Sequence, residues 1–130
     1  MDTRISVLIA DGSEDFSEQL RESIQSSGYD VVGVAYDGLR AVELLEQTTP
    51  DVMILDITLS KLDGLGVLKA VHAMQEKPAI LVTSHFRTDH IIGMLNNYDV
   101  KYFMLKPFTP RALIERIGEF GTALPRSSAR

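Results

Sequence analysis

Cysteine is missing from all 130 residues, which excludes disulfides and thiolate metal sites and fits a reducing cytosol. Long apolar runs are missing too. None approaches the roughly 20 residues that a membrane span requires, and Asp2 and Arg4 open the chain with no apolar core behind them. Basic clusters are equally scarce: the net charge is -5 and the pI near 5.1, with no Lys/Arg run to neutralise phosphates. A nucleic-acid-binding surface is therefore not expected on this segment, and ordinary acidic solubility explains the balance. Glycine-rich phosphate loops of the P-loop or dinucleotide type do not occur, which makes nucleotide binding a poor fit. The three histidines lack metal-ligand spacing; His72 and His90 are expected at exposed helix positions and His85 in a loop. These absences leave one soluble, cytoplasmic domain, long enough to bury about two-thirds of the surface that its unfolded chain exposes.

The most informative stretch that is present is Val52-Met53-Ile54-Leu55-Asp56, an apolar run that ends in a carboxylate. Pro50-Asp51 opens it and a polar break from Thr58 to Asp63 closes it, as for a strand buried on both faces. Ile5 to Ala10 is a similar run and also ends in an acid, Asp11. Glu14 to Ser27 carries Phe16, Leu20 and Ile24 at four-residue spacing, one face of a helix, with Gly28 at its end. Val31 to Ala35 reads as a strand, Asp37-Gly38 as a turn, and Leu39 to Gln47 as a helix burying Ala41, Leu44 and Leu45. A helix near Leu65 to Met74 follows the Asp56 loop. Ala79 to Val82 is the next strand, closing with Thr83-Ser84, and Asp89 to Asn97 a weaker helix interrupted by Gly93. Val100 to Leu105 is the last strand, ending in Lys106-Pro107. Thr109 suits an N-cap, Pro110 a first helical position, and Leu113, Ile114, Ile117 and Phe120 an apolar stripe, with Gly121 expected to stop the helix. Residues 122–130 lose the apolar period and read as a linker or disordered tail beyond a domain at 1–121.

Five strands alternating with five helices imply a doubly wound α/β fold, a parallel sheet covered on both faces. Its carboxyl edge gathers Asp11, Asp56, Thr83 with Ser84, and Lys106, which are remote in sequence. A nucleophilic Asp, acids able to hold a divalent cation, a hydroxyl and a cation for phosphate charge together suit phosphoryl transfer to a carboxylate. Taken singly, each residue has a plainer explanation. Asp11 could cap the following helix, Thr83 and Ser84 could simply end a strand, Phe103 could be core, and Lys106 could be solvated.

The order Ala10-Asp11, Asp51 to Asp56, Asp63-Gly64, Thr83 and Lys106-Pro107-Phe108 resembles the receiver domain of bacterial two-component response regulators, over residues 4 to 121. Val32 to Gly38, Leu62 to Leu68 and Tyr102 to Phe108 carry a narrower likeness, to the receiver of the sporulation master transcription factor of endospore formers. The resemblance implies a flavodoxin-like sheet of order 2-1-3-4-5. It implies that Asp56 accepts a phosphoryl group from a sensor kinase or histidine phosphotransferase, that Thr83 bonds it and Lys106 pairs with it, and that Phe103 is the switch aromatic. It also implies Mg²⁺ held by Asp11, Asp56 and the backbone carbonyl of Thr58, and a cis peptide before Pro107. Such a domain is a phosphoacceptor rather than an enzyme, apart from slow self-dephosphorylation. It would switch a DNA-binding domain lying beyond this chain and form a phosphorylation-dependent homodimer.

Two departures qualify the likeness. The family usually has two adjacent acids after the first strand, and here Gly12 follows Asp11. The loss of one carboxylate and its charge is expected to weaken Mg²⁺ binding and slow phosphorylation. Glu14 or Asp15 could bend back to the cation, although acids in a first helical turn are explained by the helix dipole alone. Leu59-Ser60 replaces the usual Met-Pro, which is expected to loosen the loop beside Asp56. A pseudo-receiver that signals by protein contacts without phosphate is the competing expectation.

Overall fold

A computed structural model describes residues 4–123 of the chain. Its elements alternate without exception: β1 (Ser6–Ala10), α1 (Glu14–Ser26), β2 (Asp30–Ala35), α2 (Gly38–Thr48), β3 (Val52–Asp56), α3 (Gly64–His72), β4 (Ala79–Ser84), α4 (Asp89–Leu95), β5 (Val100–Leu105) and α5 (Pro110–Ala123). The strands form one parallel sheet in the order β2-β1-β3-β4-β5, as the resemblance implies. The central strands carry near-continuous apolar sequence because both of their faces are covered; every residue of β3 is buried.

Strand alternation sorts the core into two layers. Val7, Ile9, Val52, Ile54 and Leu81 face Leu20 and Ile24 of α1 and Leu113, Ile117 and Phe120 of α5. Leu8, Ala10, Met53, Leu55, Ile80 and Val82 face α2, α3 and α4, represented by Leu44, Leu45, Val67, Leu68 and Leu95. One-residue shifts of register would exchange these layers, so the apolar pattern fixes the pairing.

Every helix begins at a side-chain cap. The Ser13 Oγ accepts from the Phe16 N–H, and Asp37, Asp63 and Thr88 act in the same way for α2, α3 and α4. Thr109 Oγ1 accepts from the Ala112 N–H at 3.1 Å, as expected for the last helix. Thus the two Asp-Gly pairs at 37–38 and 63–64 are helix starts rather than free turns.

Some boundaries differ from the sequence reading. α4 ends at Leu95, with Asn96 as its C-cap, two residues before Asn97. α3 ends at His72 instead of reaching Met74. α5 continues past Gly121 to Ala123, since one glycine costs a helix only about 1 kcal/mol and Leu113, Ile117 and Phe120 already anchor this one. Residues 124–130, the rest of the expected tail, lie outside the described residues.

Candidate functional site

The site forms where β1, β3, β4 and β5 end together. Pairing of Ala10 with Leu55 and of Asp56 with Thr83 places Asp11, Asp56 and Thr83 side by side along the carboxyl edge. Lys106 follows directly after β5 and is anchored by its N–H, which donates to the Ser84 carbonyl at 2.7 Å. The Lys106–Pro107 peptide is cis, as the resemblance implies.

Lys106 joins the acids. Its Nζ lies 2.7 Å from Asp11 Oδ2 and 3.2 Å from Asp56 Oδ2, and all three side chains are about nine-tenths or more buried. Burial opposes the charge on Lys106, but the hydrogen bond and charge of Asp11, followed by those of Asp56, outweigh it and raise its pKa above the ordinary 10.5. The remaining carboxylate oxygens are also held. Asp11 Oδ1 accepts from the Ser13 N–H at 2.8 Å. Asp56 Oδ1 accepts from both the N–H and the hydroxyl of Thr58, at 2.9 and 2.8 Å.

Thr83 is 1% exposed, and its Oγ1 has no hydrogen-bond partner among the described residues. An unmet buried hydroxyl is costly, so this one is ready to accept or donate to a group arriving beside Asp56. Phe103 does not join the cluster. It pairs in register with Val82 and packs, half-buried, against the α2–α3–α4 layer. All three histidines are exposed, as expected.

Sequence reasoning missed several supporting residues. Thr58 was expected to act through its carbonyl, and its N–H and hydroxyl have a further role, donating to Asp56 Oδ1. Ser13 and Ser17 were not singled out, yet Ser17 is fully buried and its Oγ donates to the Asp11 carbonyl at 3.3 Å. The Ser13–Phe16 spacing of a helix cap was the available signal.

The loop after Asp56 is held by backbone hydrogen bonds. The Ser60 carbonyl accepts from Gly38 N–H at 3.0 Å and from Leu62 N–H at 2.7 Å, and Gly64 N–H reaches the Ile57 carbonyl at 3.0 Å. Lys61 takes a left-handed φ of 66° and its Nζ lies 3.6 Å from Asp37. The Gly38 bond ties this loop to the start of α2, and the other two close turns within the loop.

Asp11 and Asp56 supply hard oxygen donors of the kind that suit Mg²⁺, an ion that commonly uses one or two carboxylates and completes its shell with water or phosphate. The residues therefore fit the cation that the fold family implies, with few protein ligands. Among the described residues no three His, Cys, Asp or Glu side chains converge on a metal-sized centre. Gly12 explains why: it is exposed, and a Cβ placed on it would meet only the Tyr36 carbonyl oxygen, at 3.6 Å. Space for an acid is present where the acid is not. Gly12→Asp is expected to raise Mg²⁺ affinity about tenfold, and to lower the melting temperature of the metal-free protein by adding a third negative charge. Mg²⁺ titration and thermal melts of both proteins check this; equal affinities would refute it.

Comparison with known proteins agrees with this geometry. The family model for the response regulator receiver domain matches residues 7–118. The N-terminal domain of an uncharacterized protein from Wolinella succinogenes is 31% identical, with a TM-score of 0.82 and coverage of 92% of this chain and 95% of that one. The response regulator domain of CheB from Thermotoga maritima is 28% identical, with a TM-score of 0.78 and coverage of 93% and 96%. The REC domain of AraT, a response regulator from Geobacillus stearothermophilus, is 27% identical, with a TM-score of 0.79 and coverage of 92% and 96%. With the sheet order, the strand-end acids and the lysine in place, the chain belongs to the response regulator receiver domain family.

Proposed function

We propose that this receiver is a phosphoacceptor switch, phosphorylated on Asp56 and controlling a DNA-binding transcription factor of sporulation. The observation that carries the phosphoacceptor reading is the bridge from Lys106 to both Asp11 and Asp56, beside the unpartnered hydroxyl of Thr83. A carboxylate oxygen of Asp56 attacks the phosphorus of a phosphohistidine on a sensor kinase or phosphotransferase. The new O–P bond forms as the P–N bond breaks, and its electron pair returns to the imidazole nitrogen. Lys106 meets the charge on the phosphoryl oxygens, and the Thr58 N–H and hydroxyl keep the Asp56 carboxylate oriented. Mg²⁺, held by Asp11, Asp56 and the Thr58 carbonyl, would supply further charge neutralisation when bound.

Movement of Thr83 toward the phosphoryl group, followed by Phe103, would then bias the face of α4, β5 and α5 between monomer and homodimer. The sporulation reading is supported by the likeness of residues 32–38, 62–68 and 102–108 to that regulator, and a cytoplasmic location accords with such a role. Gly12 favours a second reading, a pseudo-receiver that signals through protein contacts alone.

Intact mass measurement after incubation with acetyl phosphate and Mg²⁺ separates the two. One added phosphoryl group on the native protein and none on Asp56→Asn is the expected result. No gain on the native protein, beside an active control receiver, would favour the pseudo-receiver.

A further inference from the structure

Lys106 has a third neighbour besides the two acids. Its Nζ lies 5.0 Å from the centroid of the Phe16 ring on α1, within the range at which an aromatic face attracts a cation. That ring is itself held in place. Phe108, two residues beyond Lys106, meets it edge-on, with centroids 5.6 Å apart and planes inclined at 74°. The Phe16 N–H donates to Ser13 Oγ at 3.3 Å, and the Ser13 N–H donates to Asp11 Oδ1, so one helix cap sets both the acid and the ring. Gly12, at the intervening position, contributes no charge.

A lysine ammonium is a point charge on a flexible four-carbon stem, with many rotamers to lose before it can meet a substrate. Contacts that place it in advance remove that ordering from the transfer step. We propose that Phe16 is a positioning residue: its ring face, braced by Phe108, seats the Lys106 ammonium against Asp11 and Asp56, ready for the incoming phosphoryl oxygens. This deepens the phosphoacceptor reading of Asp56 and rests on it. Phe16 acts through Lys106 and touches no reacting atom.

The test uses Phe16→Leu, which keeps an apolar side chain but removes the aromatic face, and Phe16→Tyr, which keeps the face. Hydrogen exchange of the Lys106 ammonium, followed by side-chain ¹⁵N NMR, reports seating without any phosphoryl donor. Exchange is expected to quicken about fivefold in Phe16→Leu and to stay within about twofold of the native rate in Phe16→Tyr. With acetyl phosphate and Mg²⁺, phosphorylation of Phe16→Leu should slow by a similar factor, Phe16→Tyr should recover it, and Phe16→Leu should have no further effect in a Lys106→Met background. Unchanged exchange in Phe16→Leu, or equal slowing with and without Lys106, would overturn the proposal. A native protein that accepts no phosphoryl group would sink the phosphoacceptor reading instead, while ammonium exchange still decides whether the ring seats the lysine. Phe16→Met serves in the same measurements if the leucine variant fails to fold.

Discussion

Gly38→Ala is expected to destabilise the domain by about 3 kcal/mol and to lower its melting temperature by roughly 10 °C. A Cβ on Gly38 would lie 1.7 Å from the Leu62 carbonyl oxygen and 2.6 Å from the carbonyl carbon. Those atoms are backbone, so no rotamer change relieves the clash. Either the β3–α3 loop or the start of α2 must move, and the hydrogen bond from Gly38 N–H to the Ser60 carbonyl is lost. The displaced loop begins next to Asp56, so phosphoryl acceptance should slow as well. Gly12→Ala is the control, because its Cβ enters ordinary contact distance and should change stability little. Paired chemical denaturation curves check the contrast; equal stabilities for the two variants would show that the loop yields easily.

Lys106→Met is expected to cost about 2 kcal/mol at neutral pH, because it leaves Asp11 and Asp56 buried without their counter-charge. That figure is set below the usual penalty for breaking a buried pair, since the site opens at the edge of the sheet and water can screen it. The pH dependence carries a definite sign. The folded-state pKa of Lys106 lies above 10.5: its burial opposes the charge, and Asp11 and then Asp56 overcome that opposition. Its contribution is therefore complete below 10.5 and is lost as pH rises through the raised value. The stability gap between native and Lys106→Met proteins should stay level across the neutral range and close only in alkali. Denaturation at a series of pH values measures it, and a gap that closes below pH 9 would contradict the assignment. Phosphorylation of Lys106→Met should fall about a hundredfold, the order seen when one preorganised charge-stabilising donor is removed.

The sheet and its chemistry were legible for different reasons. Val52 to Leu55 could be read as a doubly covered strand because burial on both faces leaves no polar position, and this also located Asp56 at a strand end. Convergence of Asp11, Asp56 and Lys106 followed from topology alone, because parallel strands deliver all their carboxyl ends to one edge. Phe103 was legible only as a β5 aromatic; its sequence position does not tell a switch from ordinary packing, and here it sits in the helix-covered layer. The two N–H groups that gather on the Ser60 carbonyl could not be read from the sequence, because one of them, from Gly38, comes from a remote element. Asp37-Gly38 was misread as a turn although it starts α2. Aspartate and glycine suit turns and helix starts alike, and only the neighbouring loop, packed where a Cβ would go, distinguishes them. The Phe16 ring over Lys106 was invisible in advance, since its spacing also marks the ordinary buried face of α1.

The lysine bridge also bears on how the chain matures. Lys106 is 95 residues from Asp11 and 50 from Asp56 in sequence, so neither contact forms from local structure. Both require β5 to pair beside β4 at the edge of the sheet, a non-local closure that carries an entropic cost. A chain cut before β5 lacks the ammonium that lies between Asp11 and Asp56. On the phosphoacceptor reading, a domain without β5 is expected to accept phosphate as poorly as Lys106→Met does.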